Sequence, residues 1–328
     1  MFDLELDPHD NPKHNDPGTT MTTLGADDTQ LSVTLRQLQV FLAIAKAENI
    51  GNASRDLSMS KSAVSQALGE LEARLGVHLF DRNRGRIFLT AEGRRLMPQA
   101  DEMVARAKDI SSLFSNRKRS TSFRVGCTRT VGTFMIAELL RGFEDRLGWI
   151  PSVEIANTQR IAEKLVRFEL DTALVEGPVR HSELVTESWM EDEMVVIAPK
   201  EHPLSGRPVS YEELSNARWI LREEGSSSRN FFDTQLRQKL TSVRVSTELD
   251  SFDAILRSVL MGLGLTYISS RVLSDPYYGR YVTRLELPDR FMRQLTFCHH
   301  RDKYLCEEVR LWMDHCRAYA NRASRAMY

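Results

Sequence analysis

The sequence predicts a multi-domain chain: an α-rich head ending in a small two-stranded wing, a long connecting helix, and an α/β remainder. Three observations predict it. Apolar residues between 35 and 75 recur at helical spacing. Leu96, Ala100, Met103, Ala107, Ile110 and Phe114 step by four and three along one helix face. Beyond residue 122, strand-like runs alternate with helical ones, the pattern of α/β layers. A chain of 328 residues also exceeds what one compact core accommodates, so two or three domains are expected.

Composition narrows the function classes. With 41% hydrophobic residues, a mean hydropathy of -0.36 and no apolar run near the roughly 18 residues of a membrane span, no membrane role is expected. The start, M-F-D-L-E-L-D-P-H-D-N-P-K, is acidic and Pro-containing, the reverse of a signal peptide, so a cytoplasmic protein is expected. Cys127, Cys298, Cys306 and Cys316 have no C-x-x-C spacing, which fits a reducing compartment. Charge is segregated: residues 1–30 hold 1 basic and 7 acidic side chains, and residues 31–119 hold 15 and 9. A polyanionic partner for the second segment follows, while 1–33 reads as a flexible acidic tail in which Met21 offers a later natural start.

The elements follow in order. Thr34 can cap a first helix whose apolar face is Leu35, Leu38, Phe41, Leu42 and Ala45. A short second helix is expected over 52–57, S-M-S interrupts it at 58–60, and a third helix starts at a Ser60 cap. In that third helix Val64, Leu68, Leu71 and Leu75 share one face, and Lys61, Ser62, Ser65, Gln66 and Gly69 project from the other. A small, polar, nearly uncharged face suits close approach to base edges in a major groove, and Ala53 and Ala63 would let two helices cross tightly. A plain serine-rich surface helix explains the same face equally well. The run L-F-D-R-N-R-G-R-I-F-L-T shifts the balance: two short strands flank a turn at 83–85, with Arg82, Arg84 and Arg86 at its tip. Such a wing suits phosphate or minor-groove contact; a solvated loop would explain the charge but not its position after a recognition helix. From Thr90 one long helix follows. Gly93 and Pro98 predict a kink or irregular start, and the stripe from Leu96 to Phe114 predicts a dimer seam.

L-R-Q-L-Q-V-F-L-A-I-A, then A-S-R-D-L-S-M-S-K-S-A-V-S-Q-A-L-G-E-L-E-A-R-L-G-V-H-L-F-D-R, then L-T-A-E-G, resemble the winged helix-turn-helix of LysR-type transcriptional regulators. Two positions depart from the family pattern: Ser62, where Pro is frequent, and Gly69, where a longer polar side chain is usual. The resemblance implies a DNA-binding head over about 34–92, a linker and dimerisation helix over 93–120, and an effector-binding domain over 121–328. It further implies two subdomains like those of periplasmic binding proteins, about 121–198 with 270–328 and about 199–269, joined by strands that cross near Pro199 and Ser269. The tract R-K-R-S-T-S at 117–122 contains the joint.

Several strand ends run directly into Ser, Thr, Asn or Gly at a helix start: C-T-R-T-V-G, A-N-T-Q and R-E-E-G-S-S-S-R. Each offers hydroxyl and backbone donors suited to a small anion; each also reads as a simple helix cap. The resemblance places an effector between the subdomains, at Thr128, Thr130, Thr158 and Ser226 first, with Arg129, Asn157, Ser227 and Arg229 behind them. D-T-A-L-V-E-G-P and W-I-L-R-E-E-G-S-S-S-R look closest to the branch concerned with sulfur assimilation and carbon fixation, which suggests sulfite, sulfate, or a small carboxylate or phosphate metabolite.

No G-x-S-x-G, H-E-x-x-H, phosphate loop or dinucleotide fingerprint occurs, so no catalytic residue is assigned and no enzyme is expected. The C-H-H run at 298–300 with Cys306, His315 and Cys316 lacks metal-ligand spacing, and no metal or resident cofactor is expected. The resulting expectation is a transcription factor that binds an inverted-repeat operator in double-stranded DNA as a dimer or a tetramer of dimers, with RNA polymerase a candidate partner. A small-molecule sensor with a vestigial head is the alternative, against which the arginine wing argues.

Overall fold

The computed structural model describes residues 33–83, 86–114, 123–177 and 179–326. The acidic segment 1–32, Arg84 and the joint at 117–122 lie outside them.

The head is built from three helices, a hairpin and the start of a long helix: α1 Leu35–Ala47, α2 Ile50–Asp56, α3 Lys61–Leu75, β1 Phe80–Asn83, β2 Arg86–Leu89 and α4 Ala91–Leu113. Caps set the helix starts. Thr34 and Gln37 form a reciprocal capping box, Asn49 accepts from the Asn52 amide, and Ser60 accepts from the Ala63 amide at 3.1 Å. Val40, Phe41, Ile44, Ala53, Val64 and Leu71 are fully enclosed and make one core with Met97 and Ala100 of α4. Two expected core positions differ. Leu35 is 42% exposed in the first turn of α1, and Leu75 is 38% exposed because α3 outruns the core at its last turn, where Gly76 (φ 68°) stops it.

Helix α4 runs from Ala91 to Leu113 without a break at either Gly93 or Pro98, the two positions where a kink or irregular start is expected. A Cβ at Gly93 would lie 2.2 Å from the Leu79 carbonyl oxygen, so this glycine permits close packing of the helix start on the entry to β1. The Thr90 hydroxyl accepts the Gly93 amide at 3.0 Å. Pro98 removes one hydrogen bond, yet Met97 and Ala100 beside it are anchored in the head core and the helix continues.

The remainder carries β3 Arg124–Thr128, α5 Arg129–Phe134, α6 Ile136–Leu147, β4 Ser152–Ala156, α7 Thr158–Val166, β5 Thr172–Glu176, β6 Leu184–Pro199, α8 Tyr211–Asn216, β7 Arg218–Arg222, α9 Ser227–Phe231, β8 Arg244–Leu249, α10 Phe252–Leu260, β9 Thr266–Ser269, β10 Val282–Arg284, β11 Phe291–His300 and α11 Glu307–Ala326. One sheet runs in the order β10-β6-β11-β5-β3-β4, with β9 also on β6; β7 and β8 form a parallel pair.

Strands β6 and β11 are the connections between two cores. Trp189 and Met190 of β6 pack with Phe143, Leu139 and Trp312 in a first core, while Met194, Val196 and Ala198 of the same strand pack with Trp219 and Phe232 in a second. Strand β11 returns, with Phe291 in the second core and Leu295 and Phe297 in the first. The crossings therefore lie at 190–194 and 291–295, not near Pro199 and Ser269. A strand 16 residues long spans both subdomains without a break, so chain reversals do not mark the boundary. Val272, Val282 and Leu285 join the cores of the second subdomain, to which 270–291 thus belongs.

The head rests on the first subdomain through a buried ion triad. Lys303 Nζ lies 2.8 Å from Asp101 of α4 and 2.6 Å from Asp171 before β5. Phe168, held at φ 56°, inserts into the head core at 2% exposure and packs on the His300 ring at 4.4 Å. A bulky residue in the left-handed region is strained, and burial of its ring offsets that cost. Arg167 closes the rim on Glu48 at 2.8 Å.

Candidate functional site

Two surfaces carry chemistry. On the head, the Ser60 cap starts α3 with Lys61, Ser62, Ser65, Gln66 and Gly69 all exposed, opposite the buried Val64 and Leu68. The face is pre-ordered: Gln66 Nε2 donates to Glu70 at 3.0 Å, and the Ser60 and Ser62 hydroxyls are 2.9 Å apart. A Cβ at Gly69 would meet nothing within 4 Å, so the departure from a longer side chain leaves this face open. In the wing, Arg82 pairs with Ile87 and Asn83 with Arg86, which brings Arg82 and Arg86 to the hairpin's far end.

The six stripe residues of α4 do not share one environment. Ala100 is fully buried and Leu96 half-buried against the head, with Ala107 also half-buried. Met103, Ile110 and Phe114 are exposed at 53%, 60% and 88%, and Leu113 joins them. Phe114 lies one residue past the helix end.

In the α/β part, β4, β3 and β5 are parallel neighbours, with Thr128 opposite Ala156 and Cys127 opposite Leu174. Their carboxyl ends therefore gather Thr128, Asn157, Thr158 and Glu176 at one edge, the place where open α/β sheets bind ligands. The candidate residues divide by what they already bond. Asn157 accepts the Arg160 amide at 2.9 Å and Ser226 accepts the Arg229 amide at 3.1 Å, so the oxygen of each serves a helix cap. Arg229 is tied to Asp233 at 2.9 Å and Glu248 at 2.6 Å. Thr130 is consumed twice: its amide donates to Glu176 Oε1 at 2.7 Å and its hydroxyl accepts from Arg293 at 3.0 Å. Ser227 donates to the Glu176 carbonyl at 2.6 Å.

Thr128 and Thr158 differ from these. Among the described residues, their hydroxyls and Arg129 Nε are buried without a hydrogen-bond partner. Thr128 stands at the cap position of α5 yet makes no capping bond. A buried hydroxyl left unpaired costs about 1–3 kcal/mol, and three of the six unpartnered buried side-chain atoms among the described residues lie at these neighbouring strand ends.

The sequence reading missed the centre of this cleft. Arg293 on β11, fully enclosed, donates to Glu176 at 2.9 Å, to Asp192 at 2.9 Å and to Ser228 at 3.3 Å, besides Thr130. Burial opposes ionisation of Glu176, but the Arg293 guanidinium and the Thr130 amide outweigh it and hold the carboxyl below its ordinary value. The alternation in F-M-R-Q-L, with Phe291, Arg293 and Leu295 inward, carried the signal for a buried cation. Burial pushes Cys127, Cys298 and Cys306 up to about 12 and Cys316 well above its usual value. His315 is engaged with the Leu139 carbonyl at 3.0 Å, a packed structural group.

A winged helix-turn-helix joined by a long helix to a two-subdomain receptor defines a DNA-binding regulator with an effector domain. Residues 35–94 match the bacterial regulatory helix-turn-helix protein family of lysR type, and 116–321 match the LysR substrate binding domain. The chain belongs to the LysR family of transcriptional regulators. It is 35% identical over 288 residues to the HTH-type regulator YeiE of Escherichia coli, covering 87% of this chain and 98% of that one. A full-length OxyR variant from Pseudomonas aeruginosa has a similar fold, with a TM-score of 0.70, 21% identity and coverage of 87% and 95% of the two chains. The regulatory domain of CcmR from Synechocystis, in complex with 2-PG, aligns at a TM-score of 0.56 and 25% identity over 60% of this chain and 96% of its own. Among the described residues no helix is long and apolar enough to cross a membrane.

Proposed function

We propose that this regulator responds to a small anion bound between its subdomains, at the carboxyl ends of β3 and β4. The observation that carries this reading is the set of buried, unpartnered donors: the Thr128 and Thr158 hydroxyls and Arg129 Nε. An acceptor-rich, compact ligand completes all three at once; sulfite, sulfate, and small carboxylate or phosphate metabolites have the required oxygens. That CcmR's regulatory domain was solved with 2-PG supports an effector site in this fold.

Effector then shifts the population of closed and open subdomain arrangements, and the change reaches the heads through the assembly. On the DNA side, Lys61, Ser62, Ser65 and Gln66 read the major groove, and Arg82, Arg84 and Arg86 approach the backbone or minor groove. The exposed Met103, Ile110, Leu113 and Phe114 of α4 pair two chains, an arrangement that removes this apolar stripe from water and sets two recognition helices on an inverted repeat. A tetramer of two dimers, contact with RNA polymerase, a cytoplasmic location and a regulatory rather than catalytic role belong to the same reading.

The test is thermal unfolding of the full chain against sulfite, sulfate, phosphate and small carboxylates, repeated with Thr158→Val. A saturable upward shift with one anion, lost in the variant, is expected. An anion shift that survives in Thr158→Val moves the site elsewhere, and no shift with any anion removes the anionic effector.

A further inference from the structure

The cleft already contains an anion of its own. Glu176 ends the fully buried strand T-A-L-V-E, and its carboxylate accepts the Thr130 amide on one oxygen, and the Ser228 hydroxyl (3.3 Å) and Arg293 (2.9 Å) on the other. These donors come from three directions. Thr130 belongs to the first subdomain, Arg293 to a crossing strand, and Ser228 to α9 of the second. The Glu176 backbone carbonyl takes a fourth donor, Ser227, also from α9. One side chain thus does what a bound oxyanion would do: it collects converging donors from both walls.

Charge makes the same point. The cluster opposes Glu176 and Asp192 with Arg293 and the half-buried Arg271, 3.4 Å from Asp192, and the buried Arg222 that also acts on Glu176 is balanced by Glu223 at 2.7 Å, so positive and negative groups are matched. An added anion beside Glu176 would leave a buried excess of negative charge, which a low-dielectric site penalises heavily. An anion that replaces the Glu176 carboxylate keeps the balance. Thr128 supports the exchange: its usual capping target, the amide at the start of α5, is held by Glu176, and its hydroxyl is left over at the same strand end.

We propose that Glu176 is a built-in anion of the effector cleft, and that an anionic effector enters by displacing its carboxylate from Thr130, Ser228 and Arg293. The inference rests on the effector reading above and deepens it. Without effector, Glu176 bridges the two subdomains; with effector, that bridge is exchanged for one the ligand makes, so binding and subdomain geometry are coupled through a single side chain.

Glu176→Ala deletes a group the size of acetate, which provides the test on the full-length chain. Thermal unfolding is measured for wild type, Glu176→Ala and Glu176→Gln in sodium acetate and in sodium chloride of equal ionic strength. Glu176→Ala should unfold earlier than wild type, and acetate should restore at least half of the lost midpoint in a saturable way that chloride does not match. Wild type and Glu176→Gln, whose cavities stay filled, should respond to acetate no more than to chloride. In a second arm, inorganic sulfate should bind Glu176→Gln at least ten-fold more tightly than wild type, because the amide removes one of the two carboxylates that compensate Arg293 and leaves only Asp192. If Glu176→Ala does not fold, the sulfate affinity of Glu176→Gln decides alone. Equal responses to acetate and chloride, with sulfate affinity unchanged by Glu176→Gln, overturn the proposal. Acetate rescue with an unaltered effector response in Thr158→Val would instead uphold Glu176 and remove the Thr128–Thr158 reading.

Discussion

Replacing Thr128 with Val should stabilise the effector-free protein and weaken its response to effector. The hydroxyl is enclosed, caps nothing and has no partner among the described residues, while valine keeps the β-branched shape. Removing an unsatisfied buried hydroxyl returns about 1–3 kcal/mol. For a domain of this size each kcal/mol moves the unfolding midpoint by about 2–4 °C, so a rise of several degrees is expected without ligand. Wild type at about 100 times the dissociation constant of its effector gains about 2.7 kcal/mol, and the variant should lose most of that gain. The assay is thermal unfolding of both full-length proteins with and without the anion that shifts wild type. A variant that unfolds earlier than wild type in the absence of ligand would show that the hydroxyl is already satisfied, and the argument for the site would fail with it.

Four further outcomes are expected. Lys303→Met strips the cation from between Asp101 and Asp171, and should destabilise the chain by about 3–5 kcal/mol in denaturant unfolding, as loss of one partner of a buried pair does. Lys46 is lowered to about 8 by burial and by the nearby Arg124 and Lys303. Its folded value lies below its unfolded one, so the unfolded chain binds the extra proton between pH 8 and about 10.4. Its contribution to stability therefore improves as pH rises through that window, and Lys46→Met should flatten the slope of unfolding free energy against pH there. On the head, Ser65→Ala with Gln66→Ala should reduce affinity for the cognate operator more than for random DNA in a binding titration, with equal losses assigning both to non-specific contact. Ile110→Glu should shift the full chain toward monomer in sedimentation velocity; an unchanged assembly would place the dimer contact elsewhere.

The head was readable in the sequence because its determinants are local. Cap residues at Thr34, Asn49 and Ser60 and the spacing of Leu38, Phe41, Val64 and Leu68 act within a few residues, and they decide which faces are buried and which are offered to a partner. The same holds for the strand ends that gather Thr128 and Thr158, since parallel strands place their carboxyl ends together. What sequence could not rank was which of the polar residues at those ends stay free. Thr130 bonds Glu176, 46 positions away, through its amide and Arg293, 163 positions away, through its hydroxyl oxygen, while Asn157 and Ser226 cap their own helices. Subdomain boundaries were hidden for a related reason, since β6 passes from one core to the other in mid-strand and no turn or glycine announces it. Local periodicity thus determined the elements and their faces. Only the tertiary structure decided the pairing of buried charges and donors, because each is settled by whichever remote group the fold brings within hydrogen-bond reach.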